Sequence, residues 1–123
     1  MIRIIGIQKS DDPDKEFILL QNQGNLRAHL RGHAVLCESV VESGNFGIGA
    51  HVFSDDVHVP PGKYVLLYTG TGEPRWSKTK DGQLMFQTYM NWERPVWSRC
   101  PEPIRILNTQ HTLVERPVAA SLR

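Results

Sequence analysis

Cysteine, net charge and long apolar runs are all scarce in this chain, and each shortage excludes a class of protein. Cys37 and Cys100 are its two cysteines, too few for a disulfide framework. With no secretory leader visible in "MIRIIGIQKSDDPDKEF", two reduced thiols are the expectation. That opening has one early Arg, a few apolar residues and then acids, too short and too interrupted for a signal segment. No run approaches the roughly 18 apolar residues of a membrane span. A soluble, cytoplasmic chain is therefore expected. The net charge of +1 argues against a dedicated polyanion binder, which concentrates a basic excess.

Catalytic signatures are missing too. There is no Gly-x-Ser-x-Gly elbow and no Ser-His-Asp arrangement. Gly70-x-Gly72 follows a strand but lacks the Lys-Ser/Thr and the following helix that a phosphate cradle needs. Helical periodicity is absent over any window of eleven or so residues.

What remains is an ordinary globular composition, 40% hydrophobic over 123 residues, enough for one domain with its own core. Short β-branched and aromatic runs alternate with Gly, Pro, Asn and Asp clusters. Strands are expected at 2–8, 16–22, 32–42, 63–70, 84–90, 104–108 and 111–119. Residues 50–59 form one bent strand or two short ones. The last two runs read as a closing hairpin, 71–83 as a long exposed loop and "ASLR" as a loose tail. About eight strands so spaced predict an antiparallel β-sandwich or barrel.

Two groups of metal-ligating side chains stand out. His29, His33 and Cys37 are spaced four apart, but Gly32 and the β-branched run disfavour the helix that would align them. On a strand His33 and Cys37 become packing residues. His51, Asp55, Asp56 and His58 form the second group, within what reads as a turn with solvated acids. The first offers only three of the four ligands of a tetrahedral zinc site and the second reads as a turn, so no cofactor or metal is expected.

Residues 75–105 carry the recognition-prone side chains. Arg75, Lys78, Lys80, Arg94, Arg99 and Arg105 outnumber Asp81, Glu93 and Glu102. Trp76, Tyr89, Trp92 and Trp97 are interleaved. Aromatic and guanidinium groups together suit protein hot spots and equally suit stacking on bases. Trp97 and Cys100 read as architecture. Arg75, Trp76, Trp92, Arg94 and Arg99 are the candidates for partner contact.

The motif order resembles the lamin-tail domain. "EFILLQNQGN" matches a strand ending in Asn before a turn. "LRGHAVL" stands where that family commonly has Leu-x-Gly-Trp-x-Leu, with His33 in the Trp position. "VHVPPGKYVLLYTGTG" is similar to its Pro/Gly turn and apolar strand, and "PVWSRCPEPIRILNTQHTLVER" to its closing segment, with "RCPEP" replacing the usual Asn/Gly-Asp turn. The resemblance covers about 2–118. It implies one immunoglobulin-like antiparallel β-sandwich, non-enzymatic, acting as a protein-interaction or scaffold module. Edge strands give a route to homo-oligomers. Nucleic-acid binding through 75–105 and carbohydrate binding by exposed Trp faces are the alternatives.

Overall fold

The computed structural model describes residues 1–45, 49–101 and 103–108. Among these, ten strands and one short helix follow in order: β1 (Ile2–Gln8), β2 (Phe17–Asn22), β3 (Ala28–His29), β4 (His33–Cys37), α1 (Glu38–Ser43), β5 (Ala50–Val52), β6 (His58–Val59), β7 (Tyr64–Tyr68), β8 (Arg75–Lys78), β9 (Leu84–Tyr89) and β10 (Ile104–Asn108). The all-β expectation holds. The expected strand 111–119 and the tail lie outside the described residues, as does Glu102.

The strands form a five-stranded sheet ordered β1-β2-β7-β9-β8, a three-stranded sheet β10-β4-β5 and a two-stranded pair β3-β6. β2 alternates half-buried and buried positions, the period-2 pattern of a strand with one face on the core. Its inward Ile18 and Leu20 join Val65 and Leu67 of β7 and Phe86 of β9. Val35 of β4 packs in the same cluster, with Ile104 and Ile106 of β10 against it. The two larger sheets therefore share one core. β4 is buried at all five positions, which fits its place between β10 and β5.

Two buried polar residues close the ends of β2. At its C-terminal end, fully buried Asn22 donates from Nδ2 to the carbonyls of Leu26 (2.8 Å) and Val59 (2.9 Å). Its Oδ1 accepts from the N-terminal ammonium and from Gly24 N–H, each at 3.0 Å. At the other end, Glu16 does the same for the segment described below. Each is buried because it satisfies loop groups that would otherwise be orphaned.

Four expectations are corrected. The sheet is not wholly antiparallel, since β7 and β9 run parallel. A parallel neighbour cannot be reached by a tight turn. Here the chain leaves β7, passes to the outer edge as β8 and returns by a hairpin as β9 between them. The edge strand β8 thus occupies part of the stretch expected to be loop. The run 32–42 is a strand only as far as Cys37. Then α1 begins, too short to show a period, and it ends at Gly44, whose φ of 73° suits a glycine C-cap. Finally, Cys37 and Cys100 are not thiols but a disulfide, with Cα atoms 6.0 Å apart. Sequence separation hid this pair, and the fold brings the end of β4 beside the turn after Trp97. Residues 50–59 are two strands, β5 and β6, in different sheets.

Candidate functional site: the Trp92–Arg99 groove

The segment after β9 is built by turn chemistry. Met90 N–H binds Tyr68 C=O at 2.8 Å, continuing the ladder for one residue. Asn91 then takes φ 59°, the only positive φ outside glycine among the described residues. Asn tolerates this conformation better than most residues. Its N–H binds Gly70 C=O at 3.0 Å, and its Oδ1 accepts Gly72 N–H at 3.2 Å. Trp92 N–H binds Thr69 C=O at 3.0 Å. Trp92 leaves this turn half-buried against the main core.

Gly70 and Gly72 serve this packing rather than an anion. A Cβ on Gly72 would collide with the Tyr89 ring, and one on Gly70 with Asp14. Each glycine marks a close approach of backbone to side chain.

Glu16 fixes the next residues. Its carboxylate has no exposed surface. Oε1 accepts the N–H groups of Val96 and Trp97, both at 2.8 Å, and the Thr69 hydroxyl at 2.8 Å. Oε2 accepts Ser98 N–H at 2.9 Å and, more weakly, Ser10 N–H at 3.4 Å. Burial is the largest single influence and pushes its pKa up. The N–H groups of Trp97 and Val96, the Thr69 hydroxyl and Ser10 N–H together outweigh it and hold the carboxyl below its ordinary value. Three consecutive N–H groups thus converge on one ion at the start of a 3-10 turn, Trp97–Arg99. Trp97 is fully buried, and its indole N–H meets no acceptor among the described residues. The ring is there for its volume.

Cys100 then ties this turn through the disulfide to Cys37, the last residue of β4 and the N-cap of α1, packed with buried Val40. Lys9 Nζ caps Cys100 C=O at 2.7 Å. The result is a groove of about 720 Å³ between the Asn91–Val96 segment and the β4–α1 junction. Trp92, Arg94 and Arg99 line it, with Pro95, Val96 and the disulfide supplying apolar surface. Both arginines are exposed.

Three of the five expected contact residues therefore meet, and two do not. Arg75 and Trp76 lie on β8, where neighbours point to opposite faces. Trp76 is 41% exposed and covers Phe86, its cross-strand partner, at 5.1 Å between ring centroids. Arg75 faces the other way, with Nε donating to Gln87 Oε1 at 3.0 Å. It borders a smaller hollow of about 350 Å³ beside Tyr68 and Tyr89. Those two rings stack at 5.5 Å, and Phe17 meets Tyr68 edge-on at 5.9 Å, one aromatic row across β2, β7 and β9. Arg105 is engaged with Glu38. The basic and aromatic residues of 75–105 are thus distributed over several faces.

The two expected ligand groups are also rearranged. His33 is buried and its Nδ1 lies 3.1 Å from Leu30 C=O. Burial pushes its pKa down, against the pull of the Leu30 and His29 backbone. His51 is likewise lowered by burial and sits edge-on to Phe53, its ring centroid 5.0 Å away. Asp55 accepts the Thr88 hydroxyl at 3.2 and 3.3 Å. One residue from the first group, His29, instead joins two from the second, Asp56 and His58. No periodicity within either stretch signals that meeting.

No known family matches the chain, and neither a curated protein nor a solved structure matches it. Among the described residues, no helix is long and apolar enough to cross a membrane.

Proposed function

We propose that this chain is a non-enzymatic protein-interaction module, an immunoglobulin-like sandwich of lamin-tail type, that uses the Trp92–Arg94–Arg99 groove. Two sheets around one core support the sandwich reading. The observation that carries the functional reading is the convergence of one half-buried Trp and two exposed Arg on an apolar-walled groove. Trp and Arg dominate binding hot spots because each combines large contact area with directional donors. The occupant is an extended protein segment carrying a carboxylate next to an apolar side chain. Arg94 and Arg99 outnumber Glu93 at the groove, so a negative partner is favoured. The disulfide holds one wall in place before binding, which lowers the ordering cost.

The Cys37–Cys100 bond weighs against a cytoplasmic location, because structural disulfides persist in oxidising compartments. The outer strands β1 and β8 offer the route to a second copy through edge pairing.

The test is a peptide array spanning acidic-apolar, neutral and basic extended segments, followed by titration of the best binders. Arg94→Ala with Arg99→Ala weakens binding about 10- to 100-fold, as loss of charge-assisted hydrogen bonds requires. Trp92→Ala weakens it similarly. Binding of single-stranded oligonucleotides that falls steeply with salt, with no peptide retained, would replace this reading by the nucleic-acid one. Stacking of oligosaccharides on Trp76 would replace it by the carbohydrate one.

A further inference from the structure

The two-stranded pair carries a second constellation, separate from the groove. β3 and β6 set His29 directly opposite His58. Their rings stack with centroids 4.5 Å apart and planes 13° from parallel. Asp56, two residues before His58, brings Oδ1 to 2.8 Å from His29 Nε2. Arg31 Nη2 lies 3.9 Å from the other oxygen, Oδ2. One ligand atom from each of His29, Asp56 and His58 lies within 4.8 Å of the other two.

We propose that His29, Asp56 and His58 form a binding site for a divalent transition-metal ion of the zinc class. Zinc binds imidazole and carboxylate at about 2.0–2.2 Å, so neighbouring tetrahedral ligands sit about 3.3–3.5 Å apart. The His29–Asp56 contact opens by about half an ångström to admit the ion. His58 moves inward by about an ångström or a little more. Asp56 and His58 are exposed and His29 is half-buried, so rotamer shifts achieve this without disturbing the core.

One further feature favours the ion. Cross-strand register holds the two rings together without any ligand, so little order remains to be imposed. Arg31 approaches Oδ2 while Oδ1 faces His29, so its charge opposes the cation and Arg31→Ala should tighten binding. Two imidazoles and one carboxylate suit zinc, nickel or copper better than calcium or magnesium, which prefer all-oxygen shells. Three protein ligands leave a fourth position for water or for a side chain of a partner. The site shares no residue with the groove and stands whether or not the groove binds peptide.

The test is titration of the full, metal-free chain with zinc chloride at neutral pH, and with cobalt(II) for its visible absorption. One equivalent binds with roughly micromolar affinity. His29→Ala and His58→Ala each weaken it at least tenfold, and Asp56→Asn weakens it less. Affinity falls as protons compete with the ion for its ligands. In the unmutated chain, NMR shifts on zinc addition centre on His29 and His58, which keeps the test independent of how any variant folds. Failure to bind zinc at 100-fold excess over micromolar overturns the proposal. So does one equivalent bound with unchanged affinity by the double histidine variant, which would place the ion elsewhere.

Discussion

Glu16 and Asp56 are both held below the ordinary carboxylate pKa, yet their surroundings are opposite. Glu16 is fully buried and takes five donors, three of them consecutive backbone N–H groups. Its low pKa is a by-product of organising the chain around Trp97. Asp56 is exposed, and its pKa is lowered first by the hydrogen bond with His29 and then by Arg31. Water already solvates it, so little of the fold depends on it. A buried carboxylate surrounded by backbone donors is architecture. An exposed one facing two imidazoles is available for a ligand.

The contrast can be broken most forcefully at Glu16. In Glu16→Gln the amide presents N–H where Ser98 or Val96 also offers N–H, leaving buried donors unpaired. A loss of roughly 3–5 kcal/mol is expected, as for removal of one partner from a buried charged network, read by urea or thermal denaturation. The same linkage has a sign in pH. The depressed Glu16 pKa contributes stability above its ordinary value of 4.5, and that contribution is lost as pH falls through the lower folded value. His33 and His51, both also depressed by burial, add a gentler loss beginning as pH falls below 6.5. An acid melt should therefore be shallow at first and steep below about pH 4.5, and Glu16→Gln should abolish the steep part.

Reducing the Cys37–Cys100 bond ranks next. It closes a separation of 63 residues and should cost about 2–4 kcal/mol. The loss should appear for the reduced chain and for Cys100→Ser alike. Peptide affinity should fall with it, because Cys37 and Cys100 both border the groove. Gly72→Ala follows, at about 1–3 kcal/mol, since a methyl there overlaps the Tyr89 ring. Asp56→Asn sharpens the comparison from the other side. Without metal it should move the thermal midpoint by no more than about 2 °C, as an exposed pair is worth little. With zinc present, the gap from the parent chain should widen.

Several elements were legible in the residues alone. β1, β2, β7, β9 and β10 fall within a residue or two of where β-branched runs and Gly/Pro punctuation place them. β8 was hidden because "RWSK" is polar, and an edge strand needs no apolar alternation when one side faces water. α1 was hidden by its length. Of the candidate site, Trp92, Arg94 and Arg99 were close enough in sequence for one turn to gather them. Arg75 and Trp76 are adjacent in sequence but lie on a strand, which separates their faces.

Composition and pattern by themselves determined that this chain is all-β, where most of its strands run, and that Trp, Arg and His are its recognition-prone side chains. Those properties are local, set by side-chain shape and a period of two. Tertiary structure alone decided the parallel β7–β9 pair, the disulfide, the Glu16 cage and the meeting of His29 with Asp56 and His58. Each joins residues well apart along the chain, and only burial of one common core brings them within bonding distance.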